Sequence, residues 1–149
     1  MAPLLLSTWN FSLPIVEAHY PRLAAPGGAI DAVEACARTA ESDEELGSVG
    51  YGGTPDRDGH VTLDAAIMLS PARSGSVGGL ERHIHAVSVA RMVMERTRHK
   101  MLVGSAADDF ADAQGMESEN LVSKKARQRW ERWRESNAPP VSPLPTGAP

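Results

Sequence analysis

The sequence has 149 residues, a net charge of −4, 42% hydrophobic and 23% charged residues, and a single cysteine. That length suits one domain, the balance is that of an ordinary soluble chain, and one cysteine excludes an intrachain disulfide framework. No apolar run approaches the roughly 20 residues of a membrane helix, the acidic balance argues against general nucleic-acid binding, and the composition suggests a compact cytoplasmic domain.

Leu4 to Thr8 is a short apolar run and predicts a buried strand. Leu4-Leu5-Leu6 is too short for a signal sequence and has no basic flank before it. Ser12 is expected to cap a helix through about Ala24, with Pro14 in its first turn and Pro21 kinking or ending it. Pro26-Gly27-Gly28 is a break. Ile30, Val33, Ala37 and Ala40 then recur at helical spacing, while Asp31, Glu34, Arg38 and Glu41 fill the opposite, wet face. Cys36 lies near the apolar side and reads as a small buried residue.

Gly47 to Gly53 is glycine-rich, and Thr54 to His60 reads as a turn. Val61 to Leu69 alternates strictly, with Thr62, Asp64, Ala66 and Met68 on the second face, which predicts a strand. Pro71 to Gly79 reads as a loop and Leu80 to Arg98 as the longest helix. Its apolar stripe runs from Ala86 to Met94, and Glu81, Arg82, His85, Ser88, Arg91 and Glu95 fall on its wet face. Met101 to Val103 is a short apolar link. Ser105 with Asp108 resembles a capping box opening a helix that Gly115 stops, with Phe110 facing inward. Ser123 caps a last helix to about Ser136, with Ala126, Trp130 and Trp133 on one side. Residues 138–149 are proline-rich and read as an extended, disordered tail or linker, which divides the chain into 1–137 and 138–149.

Most candidate chemistry dissolves on inspection. The stretch around Gly50 lacks the strand before and helix after that a dinucleotide loop needs, and no Gly-Lys-Ser/Thr is present. His83 and His85, two apart on the expected helix, point about 200° from each other and cannot readily share an ion. No metal site or cofactor is expected. The last helix carries six basic residues against Glu131 and Glu135. With its tryptophans on one face it reads as a docking helix with solvated charges rather than a nucleic-acid patch. There is no Gly-x-Ser-x-Gly elbow. Asp64, inside a strand where Asp is disfavoured, either lies on a wet face or serves a site.

Several segments, in order, resemble the α-chain region of glycosylasparaginases (aspartylglucosaminidases), a family of N-terminal-nucleophile hydrolases. They are Ser7-Thr8-Trp9-Asn10-Phe11, Gly27 to Glu34, Gly47-Ser48-Val49-Gly50-Tyr51-Gly52-Gly53, Val61 to Met68, and Ala90 to Glu95 with Thr97 and His99. Leu102-Val103-Gly104 and Phe110-Ala111 complete the series. The resemblance implies an α+β fold, an incomplete half of a four-layer αββα sandwich. It implies a precursor that cleaves itself before a Thr, whose hydroxyl becomes the nucleophile and whose amine becomes the base. The reaction implied is hydrolysis of the side-chain amide of asparagine, bare or glycosylated.

The family's Gly-His-Asp-Thr cleavage motif is not in this sequence, so no catalytic residue is assigned to it. The substrate-anchoring Arg and Asp and the oxyanion donors belong to the same missing β part. What the resemblance assigns here is a substrate-pocket role for Trp9, Phe11 and Ser48, and a structural-support role for Gly50, Gly52, Gly53 and Asp64. Leu69-Ser70-Pro71 stands where family loops usually have Asp-Gly. The implied partners are a β-chain carrying the N-terminal Thr, in an αβ heterodimer or (αβ)2, and a small asparagine-type substrate, with no nucleic acid and no membrane. Alone, the chain is expected to be inactive. The alternative is a truncated, non-enzymatic relative acting as a binding or regulatory subunit.

Overall fold

A computed structural model describes residues 2–137. The proline-rich segment, expected as a tail, lies outside the described residues. The fold is α+β: a three-stranded sheet with helices gathered on one face. Among the described residues there are one sheet and one helical layer, and the implied four layers are not seen.

The N-terminal segment departs from expectation. Residues 4–8 form no strand, and Leu4 and Leu6 stand 75% and 81% exposed. The apolar pattern is real, but among the described residues no strand pairs with it. The single helix expected after Ser12 is two pieces, helix α1 (Leu13–His19) and a 3-10 turn Tyr20–Ala24, and another 3-10 turn, Asn10–Ser12, precedes them. Pro21, lacking an N–H, falls where the helix tightens. Ser12 does not cap α1; its hydroxyl donates back to the Trp9 carbonyl.

Helix α2 (Gly28–Ser42) and strand β1 (Leu63–Ser70) follow their periodicities. The expected loop after β1 is instead strand β2 (Arg73–Leu80), antiparallel to it, with Ala65 opposite Val77 and Ile67 opposite Gly75. Helix α3 begins six residues later than expected, at Ala86, and ends at Arg96. The apolar link is strand β3 (Met101–Val103), parallel to β2 as a helical crossover permits. The glycines that disguise β2 have a packing reason. A Cβ on Gly75 would sit 2.5 Å from the Met94 amide nitrogen and collide with the Ala90 carbonyl, so α3 comes this close only because Gly75 has none.

The core lies between α3 and the sheet, where Val89, Ala90 and Val93 are fully buried against Ile67, Val77 and Leu80. Burying each such valine is worth roughly 1.5–3 kcal/mol. The opposite sheet face is bare: Met68, Met101 and Val103 are more than half exposed there.

The polar faces of α2 and α3, expected to be wet, meet each other. Arg91 donates to Asp31 and Glu34 at 2.6 Å each and to Glu95 at 2.8 Å. The Ser88 hydroxyl donates to Glu34 at 2.6 Å and accepts from Arg38 at 2.8 Å. The bond to Glu95, with those to Asp31 and Glu34, holds the Arg91 guanidinium above its already high range.

Helix α4 (Ser105–Ala113) starts from Gly104, not from a Ser105 cap. Asp108 instead turns its buried carboxylate to the amides of Glu81 and Arg82. His83 and His85 precede α3 rather than riding on it, and His83 is fully buried with Nδ1 2.9 Å from the Glu117 carbonyl. Helix α5 (Lys124–Asn137) is capped by Ser123, whose hydroxyl accepts from the Ala126 amide. Trp130 docks on the turn at 54–60 through the Arg57 carbonyl, while Trp133 stays about half exposed.

Candidate functional site

Three distant segments enclose one groove of about 430 Å³. The first carries Trp9 and Phe11. The 3-10 turn after Trp9 brings their rings into a stack, with centroids 6.2 Å apart and planes 14° apart. The second is α2, which offers Val33, Cys36 and Ala37. The third is the start of the glycine-rich loop, with Ser48 and Val49. Trp9, Phe11 and Ser48 thus line the same groove, although Phe11 and Ser48 are separated by all of α1 and α2. Trp9 is 67% exposed, so one aromatic wall stands open to an incoming group.

The glycine-rich loop is held by its backbone. The Tyr51 amide donates to the Glu41 carbonyl at 2.8 Å and the Gly52 amide to the Leu121 carbonyl at 2.9 Å. The Gly52 carbonyl accepts from Arg129 at 2.7 Å, and the Gly53 amide closes a turn onto the Gly50 carbonyl. Gly50 is at φ 59°, and its Cα rides on the end of α2 so closely that any Cβ would overlap the Glu41 backbone. Gly50, Gly52 and Gly53 therefore shape the loop rather than line the groove.

Asp64 is not brought to the groove. It sits on the bare sheet face and accepts the Gly79 amide at 2.8 Å, bracing the end of the β1–β2 pair. Cys36 is half-buried on the groove wall, and burial pushes its thiol up, an effect Arg22 partly opposes. Among the described residues no group of three or more His, Cys, Asp or Glu is arranged to hold a metal ion, and no helix is long and apolar enough to cross a membrane.

Sequence reasoning misses Glu41. Helical spacing puts it on a wet face, yet it is 8% exposed, lines the groove, and accepts the Val87 amide at 2.9 Å. A signal exists: an acid in the last turn opposes its own helix dipole and so calls for a partner elsewhere.

The match to known proteins runs through these same segments. A family model described as Asparaginase matches residues 8–144. An N(4)-(β-N-acetylglucosaminyl)-L-asparaginase of Elizabethkingia miricola is 48% identical over 131 residues, 88% of this chain and 38% of that protein. The enzyme of the same name from Mus musculus is 42% identical over 139 residues, 93% of this chain and 40% of that protein. A putative N(4)-(β-N-acetylglucosaminyl)-L-asparaginase of Drosophila melanogaster is 40% identical over 144 residues, 94% of this chain and 37% of that protein. The chain spans about two-fifths of the length of these curated relatives. With a model match over most of its residues, the chain belongs to the asparaginase family, among relatives that are glycosylasparaginases.

Proposed function

We propose that this chain is the α-chain part of an amidohydrolase that cleaves the side-chain amide of asparagine, bare or glycosylated. The observation that carries the reading is the convergence of Trp9, Phe11 and Ser48 on one groove. On this reading the groove is one wall of the substrate pocket. The remaining wall, the oxyanion donors and the nucleophile come from a companion β-chain that begins with Thr. The free α-amine of that Thr takes the proton from its own hydroxyl as the oxygen attacks the amide carbon and hands it to the departing nitrogen, which leaves as ammonia or glycosylamine; water then cleaves the resulting aspartyl ester, releasing aspartate and the free Thr hydroxyl. The bare sheet face and the unpaired apolar segment at residues 4–8 support a companion of this kind, as does the two-fifths coverage of the relatives. A second sheet on the bare face would complete a four-layer αββα sandwich.

The test is aspartate release from asparagine and from N-acetylglucosaminyl-asparagine, by this chain alone and by its complex with a β-chain. The chain alone is expected to be silent and the complex active on at least one substrate, with Trp9→Ala raising KM. Hydrolysis by the isolated chain would overturn the assignment of the nucleophile to the companion. A stable complex that hydrolyses neither substrate would favour a non-enzymatic binding subunit.

A further inference from the structure

We propose that Glu41 is a positioning residue that sets the Ser48 wall of the groove. Three contacts meet at it. Its Oε1 accepts the Val87 amide at 2.9 Å, in the first turn of α3, where the N-cap residue His85 makes no side-chain cap of its own. Its backbone carbonyl accepts the Tyr51 amide at 2.8 Å. Its Cα and carbonyl are the surface on which Gly50 rests. One residue therefore fixes the end of α2 against the start of α3 and seats the loop that carries Ser48 and Val49, while itself lining the groove beside them.

Packing alone does not explain a carboxylate here. Oε2 has no hydrogen-bond partner among the described residues; it lies 3.4 Å from His85 Nδ1, which also lacks one. Burying an acid with one oxygen unpaired works against folding. It also stands at the C-terminal end of its own helix, the end that disfavours anions. An apolar side chain would fill the volume but could not hold the Val87 amide. The placement is accounted for by what the residue connects: the N-terminus of α3, which favours an anion, and the loop over the groove. His85 lines a separate polar cleft with His19 and Arg22 on the other side of α2, so the Glu41–His85 contact reaches from the groove to that cleft.

The consequence for ligand binding rests on the groove being a substrate pocket; the consequence for the loop does not. Amide hydrogen exchange on this chain tests the loop. Glu41→Ala is expected to speed exchange at Tyr51 at least tenfold relative to the core amides of α3. Glu41→Gln, which keeps an acceptor for Val87, is expected to restore protection. Val93→Ala, a core variant remote from the loop, controls for general loss of stability and is expected to leave the ratio of Tyr51 to core exchange unchanged. Equal ratios in the Glu41→Ala and Val93→Ala variants, or no rescue by Glu41→Gln, would overturn the proposal. In the complex with a β-chain, Glu41→Ala is expected to raise KM at least tenfold with kcat within about threefold. An equal loss in both would overturn positioning. Loop loosening as expected in a complex that hydrolyses nothing would refute the functional reading and leave the loop assignment standing.

Discussion

The tightest joint in the fold is the crossing of α3 over β2 at Gly75, and it gives a stability prediction with a built-in control. In Gly75→Ala the new methyl would stand 2.5 Å from the Met94 amide nitrogen and 2.8 Å from the Met94 Cβ, where ordinary contact begins near 3.4 Å. Clearing the Met94 nitrogen alone takes a retreat of about 0.9 Å, and the Ala90 carbonyl is closer still, so the helix must retreat by more than that or the strand must buckle. Overpacking of this kind costs roughly 1–3 kcal/mol. A gap of that width also forfeits a quarter to a half of each dispersion contact it opens, roughly. Val77, Val89 and Val93, all essentially buried, share the interface, which brings the expected loss to about 3 kcal/mol. Gly115→Ala supplies the comparison. Gly115 has φ 80° and open space around it, so its cost is backbone strain alone, about 1–2 kcal/mol. Urea unfolding followed by circular dichroism, at matched m-value, measures both. A Gly75→Ala loss under about 1 kcal/mol, or smaller than that of Gly115→Ala, would show that α3 does not rest on this strand as described.

Three further outcomes follow from charges and the groove. Arg91→Ala should cost about 2 kcal/mol, between an exposed pair and a buried one, because it leaves Asp31 and Glu34, side by side on α2, without their shared cation at a half-buried joint; a loss under about 0.5 kcal/mol by urea unfolding would refute that joint. The backbone bond from the His60 amide, and with it that from Asp58, holds the Asp56 carboxyl below the usual carboxylate range. A depressed folded value means that its contribution is present above about pH 3.9 and is lost as pH falls through the lower folded value. The Asp58 and His60 amide resonances should therefore titrate with a midpoint below about 3.9, and a midpoint at or above it would contradict the turn geometry. Burial raises the Cys36 thiol, so alkylation at neutral pH should be slower than for free cysteine and slower again with a groove ligand bound; a rate equal to free cysteine would place Cys36 elsewhere.

Elements whose order is internal to one segment are legible in the sequence. Helix α2 follows from the spacing of Ile30, Val33 and Ala37, and β1 from the alternation of Val61 to Leu69. Strand β2 is not, because what suits it to its place is the absence of side chains. Gly75 is set by the approach of α3, and Gly78 by Met101 and Val103 across the sheet, so composition mimics a loop. The start of α3 is read too early because Leu80 and Ile84 extend its apolar rhythm, whereas the chain is still leaving β2. Charges mislead in the same way. Asp31, Glu34 and Glu41 look solvated on one helix, and Ser88 and Arg91 look solvated on another; only the packing of the two faces brings them into contact and buries Glu41 and Ser88. Of the groove, Trp9, Phe11 and Ser48 are reached through family resemblance, since no periodicity links a 3-10 turn to a loop beyond two helices.

The N-terminal segment and the bare sheet face make two different demands, and together they constrain any companion. Met68, Met101 and Val103 need a surface laid against them, which a sheet stacked about 10 Å away would supply because helices already occupy the other side. Residues 4–8 need something else. Their backbone needs a strand to pair with, and neither edge of this sheet, β1 or β3, takes it. Left so, an apolar strand-forming run with unpaired amides is a site for non-specific edge pairing. A partner offering only a flat apolar face would cover the methionines and leave this run without a ladder. On the proposed reading the companion must therefore bring both a sheet face and a free strand edge. On that reading a strand at residues 4–8 would form only in the assembly, and the strand-like pattern of a segment that forms no strand here would have its reason.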